Sequence, residues 1–196
     1  MATTNRQKFA TGNVVVQRLI NRFHHQISNL VAELQPQNIL EVGCGEGFLL
    51  DVLHRRLPEV PILGLDNSQD ALSDGHRLFP DLPLEFGDIY HLVQPDRSWD
   101  VVVASEVLEH LDRPNEALAE LHRVAQRYVV LSVPWEPWFQ LGSLARGKHL
   151  QRWGNHPEHL NRWNPVTFRR LVSQRLVVER MSTQSSFPWM IVVARV

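Results

Sequence analysis

The chain has 196 residues, 43% of them hydrophobic and 21% charged, which is enough for one sizeable core and too little for two full enzyme domains. This composition excludes a collagen, a disordered segment and a disulfide scaffold; with Cys44 as the single cysteine, a reducing cytoplasm suits the chain. A net charge of −1 gives no sign of a nucleic-acid binder, but an acidic middle lies between basic flanks. Residues 31–120 hold 18 acids against 5 Lys and Arg, residues 1–30 hold 4 basic and no acidic residues, and residues 141–180 hold 8 basic against 2 acidic. No stretch has the pattern of a signal peptide, and none reaches the roughly 18 apolar residues of a membrane span.

In chain order, residues 14–34 repeat apolar groups at helical spacing, from Val16, Leu19 and Ile20 through Phe23 and Ile27 to Leu30, Val31 and Leu34, until Pro36 intervenes. Residues 38–42 read as a buried strand entering the glycine-rich run 43–47, followed by a helix with Phe48, Leu49, Val52 and Leu53 on one face. A strand at 61–65, a weak helix at 68–78 interrupted by Gly75, and a short strand at 82–86 come next. The valine-rich strand 100–104 leads to a helix from Pro114 to Val124, and residues 128–133 make a fifth strand. Strands alternating with helices predict a parallel, doubly wound α/β sheet.

Residues 135–163 break this rhythm. They hold four of the six tryptophans and few aliphatic runs, so they read as an insertion or lid. Asn164 then caps a helix with Pro165 in its first turn, running to about Gln174, and strands at 176–181 and 190–196 close the chain as an antiparallel hairpin.

The chemistry concentrates at Gly43-Cys44-Gly45-Glu46-Gly47, a turn between strand and helix where glycines let the backbone pass close beneath a ligand. A dinucleotide fold would place a third glycine at position 48, which is Phe48, and a phosphate loop would carry Gly-Lys-Ser/Thr, which is missing. Four segments in order, EVGCGEG at 41–47, GLD at 64–66, Gly87-Asp88 and WDVVVASEVLEHL at 99–111, resemble the motifs of the class I S-adenosylmethionine (SAM)-dependent methyltransferases, and of the type 11 branch in particular.

That resemblance, which covers residues 38–133, implies a Rossmann-like, seven-stranded and mainly parallel sheet with its last strand antiparallel, and a methyltransferase using SAM. The chain is expected to be a single domain over 1–196. Residues 1–34 would form a helical cap, 38–133 the SAM-binding core, 135–163 the substrate lid and 164–196 the closing helix and hairpin. Cofactor contacts fall by resemblance on Gly43, Cys44, Gly45 and Gly47, on Asp66 with Asn67 at the ribose, and on Asp88 and Ile89 at the adenine. Glu41 either orients the ammonium of SAM through water or caps the glycine turn. Ser105 and Glu106 would line the floor beside the methyl group.

Several residues carry competing readings. Cys44 reads as a small residue tolerated inside the turn rather than a nucleophile. No metal is expected, because the His156-Pro157-Glu158-His159 run, with His149 upstream, lacks a completing ligand set. Trp135, Trp138, Phe139, Trp153 and Trp163 read equally as an apolar acceptor pocket or as packing for the insertion. Arg146, Lys148, Arg152 and Arg162 read as a solvated face before an anion or membrane grip.

The acceptor is expected to be a small or lipid-linked molecule, with an anionic one in view, and no nucleic-acid partner, since Ser105-Glu106-Val107-Leu108 stands where enzymes methylating nucleobase amines carry [DN]-P-P-[YFW]. For a hydroxyl acceptor, His159 is the expected base and His110 the second candidate. The alternative is a noncatalytic SAM-binding subunit that engages a partner through its N-terminal helix. The Lys-Pro-Gly-Gly turn usual in the family before the fifth strand is shortened to Ala125-Gln126-Arg127.

Overall fold

A computed structural model describes residues 14–136 and 160–196. Its frame is one seven-stranded sheet: β1 (Ile39–Val42), β2 (Ile62–Asp66), β3 (Leu84–Phe86), β4 (Trp99–Ser105), β5 (Ala125–Pro134), β6 (Val177–Ser182) and β7 (Trp189–Arg195). The order across the sheet is β3-β2-β1-β4-β5-β7-β6, parallel throughout except for β7, which runs antiparallel to both neighbours. The Rossmann-like α/β class and the antiparallel last strand are therefore as the sequence implies.

Because strand side chains alternate, each inner strand feeds both faces of the sheet. Ile39, Val101 and Val103 join the cluster under α1 (Val14–Glu33), α2 (Phe48–Arg56) and α3 (Gln69–Leu78). Leu40, Val102 and Ala104 join the cluster under α4 (Pro114–Val124) and α5 (Pro165–Val172). In α1 the spacing 20, 23, 27, 31 buries Ile20, Phe23, Ile27 and Val31, and the chain leaves the helix through Gln35 at φ 50° before Pro36. At α5, Asn164 caps the helix as its sequence predicts, accepting from the Val166 and Thr167 amides at 3.0 Å, and the structure adds a return bond, Thr167 accepting from the Asn164 amide at 3.1 Å.

Three local expectations change. The buried face of α2 is Leu49, Leu50 and Leu53; Phe48 is half-buried, edge-on to Phe79 at 5.5 Å, and Val52 is half-buried as well. Gly75 does not interrupt α3. It is buried where the helix packs against the glycine turn, so close that a Cβ would lie 2.8 Å from the Glu46 carbonyl oxygen and 2.5 Å from Leu84 Cδ1. The fifth strand begins at Ala125, directly after α4, so no turn is needed there; the register slips between Trp99 and Val101 to absorb the tight join.

The segment expected as a lid has its ends side by side: Trp135 and Trp163 form a bridge, and the Glu136 amide donates to the Trp163 carbonyl at 3.2 Å. Trp138, Phe139, His149, Trp153, His156 and His159, with Arg146, Lys148 and Arg152, lie outside the described residues.

Candidate active site

The parallel strands β3, β2, β1 and β4 deliver their carboxyl ends side by side, and the strand order reverses direction between β1 and β4, the position where open α/β sheets form a crevice. At that point the chain after β1 folds into the glycine turn. The amides of Gly43 and Cys44 both donate to the Leu65 carbonyl, at 2.7 and 3.0 Å, and Gly43 takes φ +79°. A Cβ on Gly43 would lie 2.4 Å from Val107 Cγ2, so both its backbone angle and its surroundings demand glycine.

Asp66, at the end of β2, accepts from the Gly45 amide at 2.7 Å through one carboxylate oxygen and from the Ser68 amide at 2.8 Å through the other. The carboxylate thus ties the turn to the start of α3. A carboxylate has about four acceptor positions, so two remain for a ligand. Asn67 beside it is exposed, and Gly47 leads into α2 at φ +85°.

Glu41 is 2% exposed on β1, and its Oε2 has no hydrogen-bond partner. Burial, and secondarily the charge of Asp66, raises its carboxyl well above the usual carboxylate range. Of the two roles open to it, capping the turn is not what the bonds show, since Asp66 does that. Cys44 is buried too, its thiol pushed up by burial and then by Glu41 and Asp66, which makes it a poor nucleophile.

Past β4, the Ser105 and Ser132 hydroxyls lie 2.9 Å apart, and the Glu106 amide donates to the Ser132 carbonyl at 3.1 Å. Glu106 has φ +60°, a region that non-glycine residues enter rarely and at a cost of about 1–3 kcal/mol. Its Oε2 accepts from Trp189 Nε1 at 2.7 Å, and Trp189 stacks on Phe23 of α1 with ring centres 4.3 Å apart.

Some of these groups line one cleft that opens to solvent; Asp66, Asn67, Gly45 and Gly47 are not among its lining residues. Glu41, Gly43, Cys44, Ser105 and Glu106 make its floor; Ile20, Phe23 and His24 of α1, Phe48 and Leu49 of α2, and Trp189 of β7 make its walls.

Asp88 and Ile89 stand apart from this cleft, after β3. Asp88 caps a turn rather than a helix, accepting from the Tyr90 amide at 2.9 Å, and Ile89 is buried. His110 ends a short 3-10 turn, with Nε2 3.9 Å from Glu109 Oε1, and does not line the cleft. Trp135 and Trp163 pack against the core instead of the cleft. Phe23 was legible only as a member of a helix face and His24 only as a residue of that helix, while Trp189 lies one residue before the strand expected at 190–196. Among the described residues no group of His, Cys, Asp or Glu gathers to hold a metal ion.

The chemistry of this donor set fits a cationic amino-acid head group: a buried carboxylate oxygen waits unpartnered, and no Lys or Arg stands among the described lining residues.

The family described as a methyltransferase domain matches residues 40–131. The chain is 25% identical to a trans-aconitate 2-methyltransferase of Yersinia pestis over 79% of this chain and 70% of that protein. Among solved structures it superposes on the PH0226 protein of Pyrococcus horikoshii with a TM-score of 0.74, at 14% identity, covering 100% and 99% of the two chains. It superposes on the magnesium protoporphyrin IX methyltransferase of Synechocystis, determined with bound S-adenosylhomocysteine (SAH), with a TM-score of 0.72, at 17% identity, covering 97% and 91%.

Proposed function

We propose that this chain, whose residues 40–131 match the methyltransferase domain family, is a class I SAM-dependent methyltransferase that methylates a small-molecule or lipid-linked acceptor in the cleft between β1, β4 and α1. The observation that carries this reading is the buried, unpartnered Oε2 of Glu41 beside the glycine turn, at the crevice of the sheet.

When bound, SAM supplies a methyl group on a positively charged sulfonium, so the chain has to align and desolvate rather than drive heavy acid–base chemistry. In this reading Glu41 receives the ammonium. The turn of Gly43, Cys44, Gly45 and Gly47 lets the backbone lie against the amino-acid portion, and Asp66 with Asn67 takes the ribose hydroxyls through the two acceptor positions its amide bonds leave open. Asp88 accepts from the adenine amino group and Ile89 flanks the ring. Ser105 and Glu106 form the floor at the transferred carbon, and the walls exclude water.

For a hydroxyl acceptor, His159 stands as the proposed base ahead of His110, whose imidazole lies off the cleft. The proposed setting is the cytoplasm, in keeping with the lone buried thiol. Among the described residues no helix is long and apolar enough to cross a membrane.

Calorimetry with SAM, SAH and NADH tests the cofactor, and a mass-shift screen of acceptor extracts with labelled SAM tests transfer. Trans-aconitate is one acceptor to be tried. Micromolar binding of SAM and SAH is expected; binding of NADH in place of SAM would overturn the reading.

A further inference from the structure

Glu41 lines the cleft from β1 at 2% exposure, and its Oε2 is closed off from water and has no hydrogen-bond partner. The residues beside it in register, Gly64 on β2 and Val103 on β4, have no polar side chain to offer. The titratable groups set around it are Asp66 from β2, Cys44 and Glu46 from the glycine turn, Glu106 past the end of β4 and His24 from α1; the lining residues of α2 are Phe48 and Leu49. Asp66 accepts from the Gly45 and Ser68 amides, one on each oxygen, so its charge is met by donors. Glu41 has both burial and that neighbouring charge against its ionised form. A carboxyl enclosed in this way takes a proton in preference to bearing the cost of an unpaired buried charge.

We propose that Glu41 holds a proton in the free protein and releases it to solvent when the cationic head of SAM or SAH enters the cleft, so that cofactor loading is proton-linked and tightens as the pH rises. The inference rests on the methyltransferase reading and deepens it to the control of its cofactor site. An arriving ammonium converts an unpaired buried charge into a charge-assisted pair, which makes the carboxylate the stable form. One O–H proton then leaves Glu41 for the solvent, while the ammonium keeps its three. Linkage fixes the sign: a site that binds in its deprotonated form binds more tightly as the pH rises, by up to about tenfold per unit for one proton, until the pH passes the value of the free carboxyl. Burial, and secondarily Asp66, raise that value well above the ordinary carboxylate range, which brings the effect toward neutral pH. Imidazoles also titrate there, so His24 has to be separated from Glu41.

The test titrates the full chain with SAH in a calorimeter at pH 6 and at pH 7, each in buffers of different ionisation heat, so that the dependence of the observed heat on the buffer counts the protons exchanged. The wild-type chain should release at least about half a proton at pH 6 and bind SAH at least about twofold more tightly at pH 7. 5′-Methylthioadenosine, which keeps the adenosine and lacks the amino-acid head, should bind without release. Glu41→Gln should bind SAH more weakly, release no proton and lose the dependence on pH, whereas His24→Gln should keep the release. The wild-type count needs no variant to fold.

Binding of SAH with no proton released would overturn the linkage, since Glu41 would then already be ionised in the free protein beside a cation from elsewhere in the chain. A release by 5′-methylthioadenosine equal to that by SAH, an undiminished release in Glu41→Gln, or its loss in His24→Gln would overturn it as well. Failure of SAH itself to bind would instead overturn the cofactor reading, and the linkage with it.

Discussion

At the scale of single residues, the glycine turn and its carboxylates set opposing demands on stability and binding. Glu41 has its carboxyl raised by burial, so its contribution to stability is fullest below the unfolded carboxylate value, near 4.3, and is lost as the pH rises through the folded one. Glu41→Gln should therefore raise the melting temperature of the ligand-free protein at pH 7–8 and flatten its decline with pH. The same change should weaken SAM binding by about 1.5–3 kcal/mol, the range for a hydrogen bond to a charged group, as read by calorimetry. A variant that is both less stable and equally tight would contradict the role given to this carboxylate.

Asp66→Ala should likewise weaken SAH binding by about 1.5–3 kcal/mol, since it removes the proposed ribose acceptor and frees the Gly45 and Ser68 amides together. Gly75 supplies a sign test. Alanine in a helix interior ordinarily gains up to about 1 kcal/mol over glycine, yet the Cβ would meet the Glu46 backbone oxygen at 2.8 Å, and backbone cannot swing aside. Gly75→Ala is expected to destabilise by about 1–3 kcal/mol in urea unfolding; a stabilised variant would mean that α3 packs less closely.

Between elements, one carboxylate locks the entry to the sheet. Asp100 is buried at the start of β4, where it accepts from the Gln37 amide at 2.8 Å and from Arg127 Nη2 at 2.6 Å, with Arg127 Nε on its other oxygen. The same guanidinium donates to the carbonyls of Leu34 and Gln35 at 3.2 Å, so the link from α1 to β1 is pinned to β4 and β5 at once.

The Arg127 hydrogen bonds, offset in part by burial, hold the Asp100 carboxyl below its ordinary value. With a lowered folded value, the stabilisation is present above the unfolded value, about 3.9, and disappears as the pH falls through the folded one. Unfolding followed from pH 7 to pH 2.5 should show an acid limb that is shallower in Asp100→Asn, with a loss of about 2 kcal/mol at neutral pH. Identical limbs in the two proteins would remove Asp100 from the account.

For the molecule as a whole, α1 serves both as a cover and as a wall. Its residues Ile20, Phe23, Ile27 and Val31 bury one face of the sheet together with Trp189, Ile191 and Val193 of β7. At about 1.5–3 kcal/mol for each fully buried side chain, those four groups amount to a large share of the 5–15 kcal/mol by which a domain is stable. A chain starting at Gln37 is expected to lose SAH binding and methyl transfer, and to expose apolar surface that a fluorescent hydrophobic dye reports. Deletion of residues 1–12 should leave both activities intact. Retention of SAH binding without α1 would show that the cover is dispensable to the cofactor site.

Much of this architecture was legible because its causes are local. Buried parallel strands must be short apolar runs, hence 100–104; Asn164 and Pro165 mark a helix start in adjacent residues; and a glycine turn between a strand and a helix is contiguous in the chain.

What only the tertiary structure decided involves residues far apart in sequence. Phe23, Glu106 and Trp189 meet because β7 inserts between β5 and β6 and carries its first residue to the mouth of the cleft, and no spacing in the sequence encodes that insertion. Gly75 reads as a helix breaker until the Glu46 backbone is seen against it. The acidic residues of the middle segment are alike in sequence; burial and neighbours alone divide them. Glu41 is left buried with an unpartnered oxygen, Asp66 becomes a brace for the turn, and Asp100 a lock between elements, because the energy of a carboxylate is set by the water and donors it keeps after folding.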